Sequence, residues 1–511
     1  MGGIKLCVLI FVMCAFAFTC AHRDGVRASG GEPVTFNNQV VRILQQRCQV
    51  CHHQGDIAPF SLVTYGEAKL FAEAMLEAME SREMPPWKAS PECGEFDDER
   101  RMPDDEIETF ARWVEAGTPE GDPAAAPPPL QFKGDWPLGL PDVVLRPEAN
   151  FEVMIGDDIY RCFSFPTDSR GERFLSAIDV RPGARSVVHH AIVYIDESGE
   201  SKRFDEADSA PGFNCPNDAE FTKSAVAWWM PGAPARFEPA GAAWKVPKGA
   251  RIVLKIHYHV HHGGGQSDRT EVGLYFAREP VRKELRTLLL TNTSFAIPAG
   301  DTHYKVTASN PPLGPRQAAH AVGVAPHMQL LGREMEVEAA SPDGETRCLI
   351  SAEDWDSHWQ GLYRFKEPVA LPPGTQLSLT AYYNNSFSNP ENPNFPPKTV
   401  RYGERTQDET CMAFIKYTLD AENREASSPR IDSVSVDSGG QLVVKGKGFS
   451  GGADIELDGK RLADSKNHKK KGAKRLLSGD DWKPLIPAGK EVLVTVLNTD
   501  GVRSPAISFS R

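Results

Sequence analysis

The chain opens with a segment in which apolar side chains recur at helical spacing. Val40, Val41 and Leu44 precede a cysteine pair, Ala68–Met79 is rich in strong helix formers, and Pro103–Trp113 begins with acidic residues that favour a first helical turn. Residues 33 to about 122 are therefore predicted to form a small helical domain, followed by a proline-rich linker.

Beyond that linker the pattern changes to short runs of alternating apolar and polar residues, separated by Pro-Gly turns. Arg251–His257 and Gln376–Tyr382 are two such runs within residues 136 to about 419. Strands at this spacing predict β-sandwiches. A separate small β unit is predicted from Pro429 to Arg511, so the fold class is multidomain and mainly β.

The first residues predict export. One cation, Lys5, precedes an unbroken apolar stretch from Leu6 to Phe18, which is too short to span a bilayer but fits a secretory signal. We place a signal peptide at residues 1–21, and the alternative is a lipid anchor at Cys20. In either case the protein is expected to be periplasmic or secreted, without a transmembrane segment.

Composition narrows the functional classes. The chain has 57 Lys+Arg against 69 Asp+Glu, a net charge of −12, and 25% charged residues. This acidic balance argues against nucleic-acid binding, which requires a basic face.

Export permits disulfides. Leaving aside the signal and the pair at Cys48 and Cys51, five cysteines predict two bridges and one spare thiol: Cys93, Cys162, Cys215, Cys348 and Cys411.

Cys48-Gln-Val-Cys51-His52 is the C-x-x-C-H pattern of covalent c-type haem attachment. Two thiols on one helical turn reach the two vinyl groups, and the adjacent histidine supplies an axial iron ligand. A zinc half-site would need two more ligands, for which His53 and Cys93 are the nearest candidates. A thioredoxin-like redox pair would need a βαβ context that this helical region lacks.

The sixth iron ligand has two candidates, Met84 in Met-Pro-Pro-Trp87 and Met102. Core packing is the alternative role of either methionine. Residues 33–123 resemble the cytochrome c-like domains that are fused to bacterial copper oxygenases, with residues 124–135 as the linker. That resemblance favours Met84 as the axial ligand of a single haem c.

Histidines cluster in the β region. His189 and His190 are adjacent, His257 ends an apolar strand, and His327 follows a proline. Adjacent side chains on a strand point to opposite faces. Both His189 and His190 can therefore bind one metal only where the strand twists or bulges, or where one ring folds back.

Four segments in this order resemble the copper type II, ascorbate-dependent monooxygenases, a family that includes peptidylglycine α-hydroxylating and dopamine β-monooxygenases. The segments are Val188–Tyr194, Val253–Tyr258, Pro326–Arg333 and Asp408–Cys411. The resemblance implies two β-sandwiches, at residues 136–285 and 286–425, with a copper in each.

Carried over residue by residue, the resemblance makes His189, His190 and His257 the ligands of the electron-transfer copper. All-imidazole ligation suits a copper that changes oxidation state. The second copper of the family takes two histidines and a methionine, which fall here on His327, Gln329 and Thr410. Gln and Thr are poor Cu(I) ligands, so the sequence predicts one or two coppers.

Other side chains are candidates to complete the second copper site. Met412 lies on the same strand face as Thr410 but about 6.6 Å further along, and ligation by it would need a bulge or a register slip. His259 and His320 are the further candidates.

The same resemblance implies a Cys348–Cys411 bridge and, with it, a Cys162–Cys215 bridge, which leaves Cys93 spare. Residues 428–511 resemble an IPT/TIG immunoglobulin-like module, a type that usually serves as a spacer or interaction surface. We assign that module no chemistry, and cell-envelope association is one role open to it.

These features predict a redox protein. The first hypothesis is a haem-fused copper monooxygenase that hydroxylates a C–H bond of a small molecule or peptide with O2, with an electron-transfer protein as partner. The second is a non-hydroxylating electron-transfer or copper-binding protein with a degenerate oxygen site. Pure adhesion would leave the haem motif unexplained.

Overall fold

The computed structural model describes residues 33–511 with short internal gaps, so the signal segment with Cys20, and also His261 and His262, lie outside the described residues. The gaps are residues 55–57, 98, 133–135, 155–157, 168–169, 217–219, 260–264, 315–316, 404, 406, 425–428, 463–464, 469–471 and 479–480. Among the described residues, no helix is both long and apolar enough to cross a membrane.

The N-terminal region is helical, as its apolar spacing predicts. A π-helical turn, Phe36–Val40, leads into the first α-helix. The α-helices described in this region are α1 Val41–Arg47, α2 Tyr65–Leu70, α3 Ala72–Glu80 and α4 Asp104–Glu115. Thr64 and Glu67 form a reciprocal cap at the start of α2. Leu44, Phe110 and Trp113 are fully buried where the helices meet. We call residues 33–122 the helical unit.

The described residues in the first half of the β region form twelve strands and one α-helix, α5 Glu200–Ala207. The strands are β1 Val143–Leu145, β2 Phe151–Val153, β3 Asp158–Pro166, β4 Arg173–Arg181, β5 Val188–Asp196, β6 Phe213–Asn214, β7 Ala225–Trp229, β8 Ala242–Val246, β9 Arg251–His259, β10 Gln266–Asp268, β11 Glu271–Phe276 and β12 Lys283–Thr291. A five-stranded sheet, ordered β6-β3-β9-β5-β7, packs against β4, β8 and β11 through buried aliphatic side chains such as Leu254, Val193 and Leu175.

The second half contains nine strands: β13 Ala296–Ile297, β14 Tyr304–Ser309, β15 Ala319–His327, β16 Gly332–Ala340, β17 Thr346–Ala352, β18 Tyr363–Leu371, β19 Gln376–Tyr383, β20 Val400–Arg401 and β21 Met412–Leu419. A four-stranded sheet, β14-β19-β16-β17, packs against β12, β15 and β21, and the apolar side chains between them form one core. We call residues 286–425 the second β module.

One eight-stranded sheet runs through both halves in the order β1-β11-β4-β8-β12-β21-β15-β18. The start of β12 pairs in parallel with β8, and the rest pairs antiparallel with β21. The boundary expected between residues 285 and 286 therefore falls inside a strand. The two halves cannot separate without breaking backbone hydrogen bonds, so their relative position is fixed by the sheet.

Residues 429–511 form a further β unit with eight strands: β22 Arg430–Val436, β23 Leu442–Lys447, β24 Asp454–Leu457, β25 Lys460–Arg461, β26 Lys466–His468, β27 Gly472–Ser478, β28 Glu491–Leu497 and β29 Ile507–Ser510. They make two four-stranded sheets around one apolar core. The unit docks onto the first half through its buried Asp454, which pairs with Arg173 of the first half at 3.1 Å, and through Arg461, which pairs with Asp142 at 2.8 Å.

The disulfides correct one expectation. Cys162 is joined to Cys215, the expected pair, but Cys348 is joined to Cys93. The expected Cys348–Cys411 bridge is wrong because the two side chains occupy different sides of the module. Cys411 is a free thiol buried in the core beside Tyr383, whereas Cys348 on β17 faces the helical unit.

The Cys93–Cys348 bridge belongs to a larger contact between the helical unit and the second β module. Ser90 N–H donates to the Ser351 carbonyl at 2.7 Å, and Asp97 N–H donates to the Arg364 carbonyl at 2.9 Å. Trp87 packs edge-on against Tyr363, with ring centroids 4.9 Å apart. The helical unit is thus docked rather than suspended from its linker.

Candidate metal centre

A β-bulge brings His189 and His190 together. In the β5–β9 ladder Val188 pairs with Tyr258 and His190 pairs with His257, so His189 is the extra residue between two paired positions. A bulged residue leaves the strict alternation of faces. This irregularity supplies the geometry that two adjacent histidines need if both are to face one site.

His189, His190 and His257 converge on one point. One ring nitrogen from each lies within 4.8 Å of the others, and the ring centroids are 4.9 to 5.2 Å apart. His190 and His257 are buried. Burial and the neighbouring histidines lower the pKa of His190 well below its ordinary value, which keeps this imidazole neutral and able to bind a metal.

Aromatic and amide side chains surround the triad. Tyr160 stacks on His257 with ring centroids 4.3 Å apart, and its hydroxyl accepts a hydrogen bond from Gln329 Nε2 at 3.4 Å. The Lys255 ammonium lies 4.8 Å from the centre of the Tyr160 ring. Tyr160 restrains the His257 ring, and motif comparison gave no signal for it.

Two more histidines flank the triad. The His327 ring lies 5.9 Å from that of His190, and the His358 ring lies 5.6 Å from that of His189. Burial, Lys255 and His257 lower the pKa of His327 to about 3. Asp356 accepts a hydrogen bond from His358 Nδ1 at 2.8 Å and raises the pKa of His358.

The residues expected at a second copper lie around His327. Met412 pairs with His327 across the β15–β21 ladder and is buried among apolar side chains. The Thr410 hydroxyl donates to the His327 carbonyl at 3.4 Å. Gln329 is buried and directed to Tyr160. The alternative ligand His320 is instead paired with Asp420 at 2.6 Å, and the side chain of His259 lies outside the described residues.

The cysteine pair opens onto a separate apolar cavity of about 330 Å3 in the helical unit. Cys48, Cys51, His52 and Met84 line it, together with Trp359 from the second β module. His52 Nδ1 lies 3.3 Å from the Phe60 carbonyl oxygen. A hydrogen bond there leaves Nε2 as the nitrogen available to a metal.

The residues considered as alternative iron or zinc ligands lie in other environments. Met102 is buried in the helical core and does not line the cavity, whereas Met84 does. Cys93 is held in a disulfide and is not available as a zinc thiolate. His53 stacks on Phe132 with centroids 3.9 Å apart. Neither Cys48 nor Cys51 is part of a disulfide.

Comparison with known families points to the copper monooxygenases. The profile described as copper type II ascorbate-dependent monooxygenase, C-terminal domain, matches residues 285–432. This match covers His327, Gln329, Thr410 and Met412.

The individual relatives that this chain resembles include dopamine beta-hydroxylases. Dopamine beta-hydroxylase of Equus caballus is 26% identical over 229 residues, which is 40% of this chain and 36% of that protein. The Homo sapiens protein is 25% identical over 228 residues, 40% of this chain and 35% of that one. The chain thus spans about a third of the length of these relatives.

Among solved structures, a peptide-N(4)-(N-acetyl-beta-D-glucosaminyl) asparagine amidase aligns over 56% of this chain and 97% of its own, with 11% identity and a TM-score of 0.25. The major capsid protein P2 of bacteriophage PM2 aligns over 54% and 97%, with 10% identity and a TM-score of 0.22. Neither likeness bears on the site.

Proposed function

We propose that the protein is an exported copper- and haem-containing oxidoreductase of the monooxygenase class. It inserts one atom of O2 into a C–H bond of a small molecule or peptide and reduces the other atom to water, with two electrons and two protons. An electron-donor protein supplies the electrons by way of a c-type haem. The observation that carries the proposal is the convergence of His189, His190 and His257.

The triad fits copper in donor type and protonation. Three imidazoles suit an ion that cycles between two oxidation states, and copper bound there supplies one-electron chemistry. His190 is held neutral by burial, and the stacked Tyr160 ring limits rotation of His257. These side chains hold the donor set ready before an ion binds.

The cavity in the helical unit fits a covalently attached haem. Two cysteine side chains outside any disulfide, an imidazole and a thioether line one apolar space, which is the donor set that c-type attachment needs. His52 and Met84 would hold the iron. The group supplies one-electron storage when bound, while the apolar walls exclude water from it.

The second hypothesis, a redox protein without hydroxylation, is favoured by one observation around His327. Gln329 is engaged with Tyr160 and Thr410 donates to a backbone carbonyl. Two of the three positions aligned with the oxygen-site ligands therefore have structural partners here. The two hypotheses differ in copper content and in O2 consumption.

Metal analysis of purified protein and of the His257→Ala variant tests the copper site. The variant should lose one copper per chain and keep the haem, because the triad and the cavity share no ligand. His320→Ala is the matched control, since His320 pairs with Asp420 and is not part of the triad. Full copper occupancy in His257→Ala would refute the triad.

O2 uptake in the presence of a one-electron donor separates the two hypotheses. The paired change Gln329→His and Thr410→Met should raise copper toward two per chain and increase O2 uptake if the second site is weakened. If the wild type already binds two coppers tightly and the paired change adds nothing, another side chain, Met412 foremost, completes that site.

A further inference from the structure

One short segment of the second β module touches both candidate redox sites. Residues 356–361 cross between β17 and β18, and Trp359 lines the cavity that contains Cys48, Cys51 and His52. The preceding residue, His358, lies with its ring centroid 5.6 Å from that of His189 in the triad. Two consecutive side chains therefore span the space between the sites.

We propose that Trp359 and His358 form the electron relay between the haem and the triad copper, which rests on the proposed function. The step transfers one electron: ferrous haem becomes ferric and cupric copper becomes cuprous, and no covalent bond forms or breaks. A one-electron donor such as ascorbate or a reduced donor protein first reduces the haem. Consecutive residues give a covalent connection, with an aromatic ring at each end.

The segment is held firmly at both sides. Trp355 is buried in the core of the second β module. His358 N–H and His358 Nδ1 both contact Asp356 Oδ1, at 2.9 and 2.8 Å, and Trp359 N–H donates to the Asp356 carbonyl at 3.1 Å. A Cβ at Gly361 would lie 2.7 Å from the Met230 sulfur, so the chain also passes close to the first half.

The helical unit is also fixed against both halves of the β region. A Cβ at Gly232 would lie 2.7 Å from Cys51 Sγ, and Arg100 Nη1 donates to the Gly232 carbonyl at 3.3 Å. The Cys93–Cys348 bridge lies in the same contact between the units. These contacts set the position of Trp359 relative to the cavity, which an electron relay requires.

The test is anaerobic stopped-flow of the copper-loaded holoprotein. The haem is reduced with a substoichiometric one-electron donor while copper is cupric, and its reoxidation is followed by haem absorbance. Trp359→Leu should slow reoxidation by at least about tenfold, with haem content, copper content and haem potential unchanged. Trp359→Phe, which keeps a ring, should restore most of the rate.

Trp87→Phe is the matched control, because Trp87 lies at the interface of the same units but borders neither the haem cavity nor the triad. Its reoxidation rate should equal that of the wild type. An unchanged rate in Trp359→Leu would overturn the relay and leave the proposed function standing. Copper loss in His358→Ala would also overturn the relay, since His358 would then be a ligand.

Failure of the proposed function gives a different result. Wild-type protein without covalent haem, or without copper, would remove both the proposed function and the relay. Wild-type protein that contains both groups but whose ferrous haem is not oxidised by the bound cupric ion would exclude electron flow from haem to copper, and with it the relay.

Discussion

Replacing Cys93 and Cys348 with alanine tests whether the disulfide holds the helical unit in place. The bridge joins residues separated by 255 positions. Loop-closure entropy makes such a bridge worth about 5.5 kcal/mol when all of the intervening chain unfolds, and less when the β modules stay folded. The helical unit should therefore unfold at a lower urea concentration in the variant.

Hydrogen exchange in urea, read by mass spectrometry on peptides from α4, measures this unit separately from the β modules. Its midpoint should fall, and the midpoint of β15 and β21 peptides should move less. The matched control replaces Cys162 and Cys215, a separation of 53 residues, for which loop entropy gives about 4 kcal/mol. That control should weaken β3 and leave α4 protected.

An α4 midpoint that does not move in the Cys93→Ala, Cys348→Ala variant would refute the reasoning. The remaining contacts, such as the Ser90–Ser351 and Asp97–Arg364 backbone hydrogen bonds, would then hold the unit without the bridge. The electron relay would in that case not depend on the disulfide.

Four further outcomes are expected. Asp454→Ala should destabilise the docked C-terminal unit by about 3–5 kcal/mol in urea unfolding, because it removes a buried carboxylate that pairs with buried Arg173. Glu409→Gln should lower the free energy of unfolding by about 1–3 kcal/mol, since the buried Glu409 carboxylate accepts three backbone N–H groups. Copper at the triad should persist in EPR spectra as pH falls through about 6.5, because the pKa of His190 is lowered, and release near that pH would contradict this. Met84→Ala should lower the haem potential in a redox titration, and an unchanged spectrum would exclude Met84 as ligand.

The clustering of His189, His190 and His257 could be predicted from the sequence because each histidine lies in a recognisable segment. Strand patterning placed His257 near the end of β9, and the adjacent pair required a bulge or twist that the structure has at His189. The position of that bulge has no local sequence signal, since the two residues before it, Val187 and Val188, are neither glycine nor proline. The cluster could be predicted, but the backbone irregularity that permits it could not.

The disulfide error has a physical cause. The resemblance to the copper monooxygenases paired Cys348 with Cys411 inside the second β module. Cys348 instead faces the docked helical unit, and Cys411 remains a buried thiol in the core. The side chain that faces outward on β17 is determined by the unit that packs there. No local sequence pattern indicates that Cys348 pairs with a cysteine 255 residues away.

Neither the Cys93–Cys348 bridge nor the Trp359 contact is indicated by the proline-rich linker, which alone would leave the helical unit flexibly tethered. A flexible tether would give the two redox sites only a millimolar effective concentration and no fixed orientation. The structure instead joins the units by a disulfide, backbone hydrogen bonds and the Trp359 contact. Electron transfer through Trp359 and His358 would then be intramolecular, and its rate should not change with protein concentration.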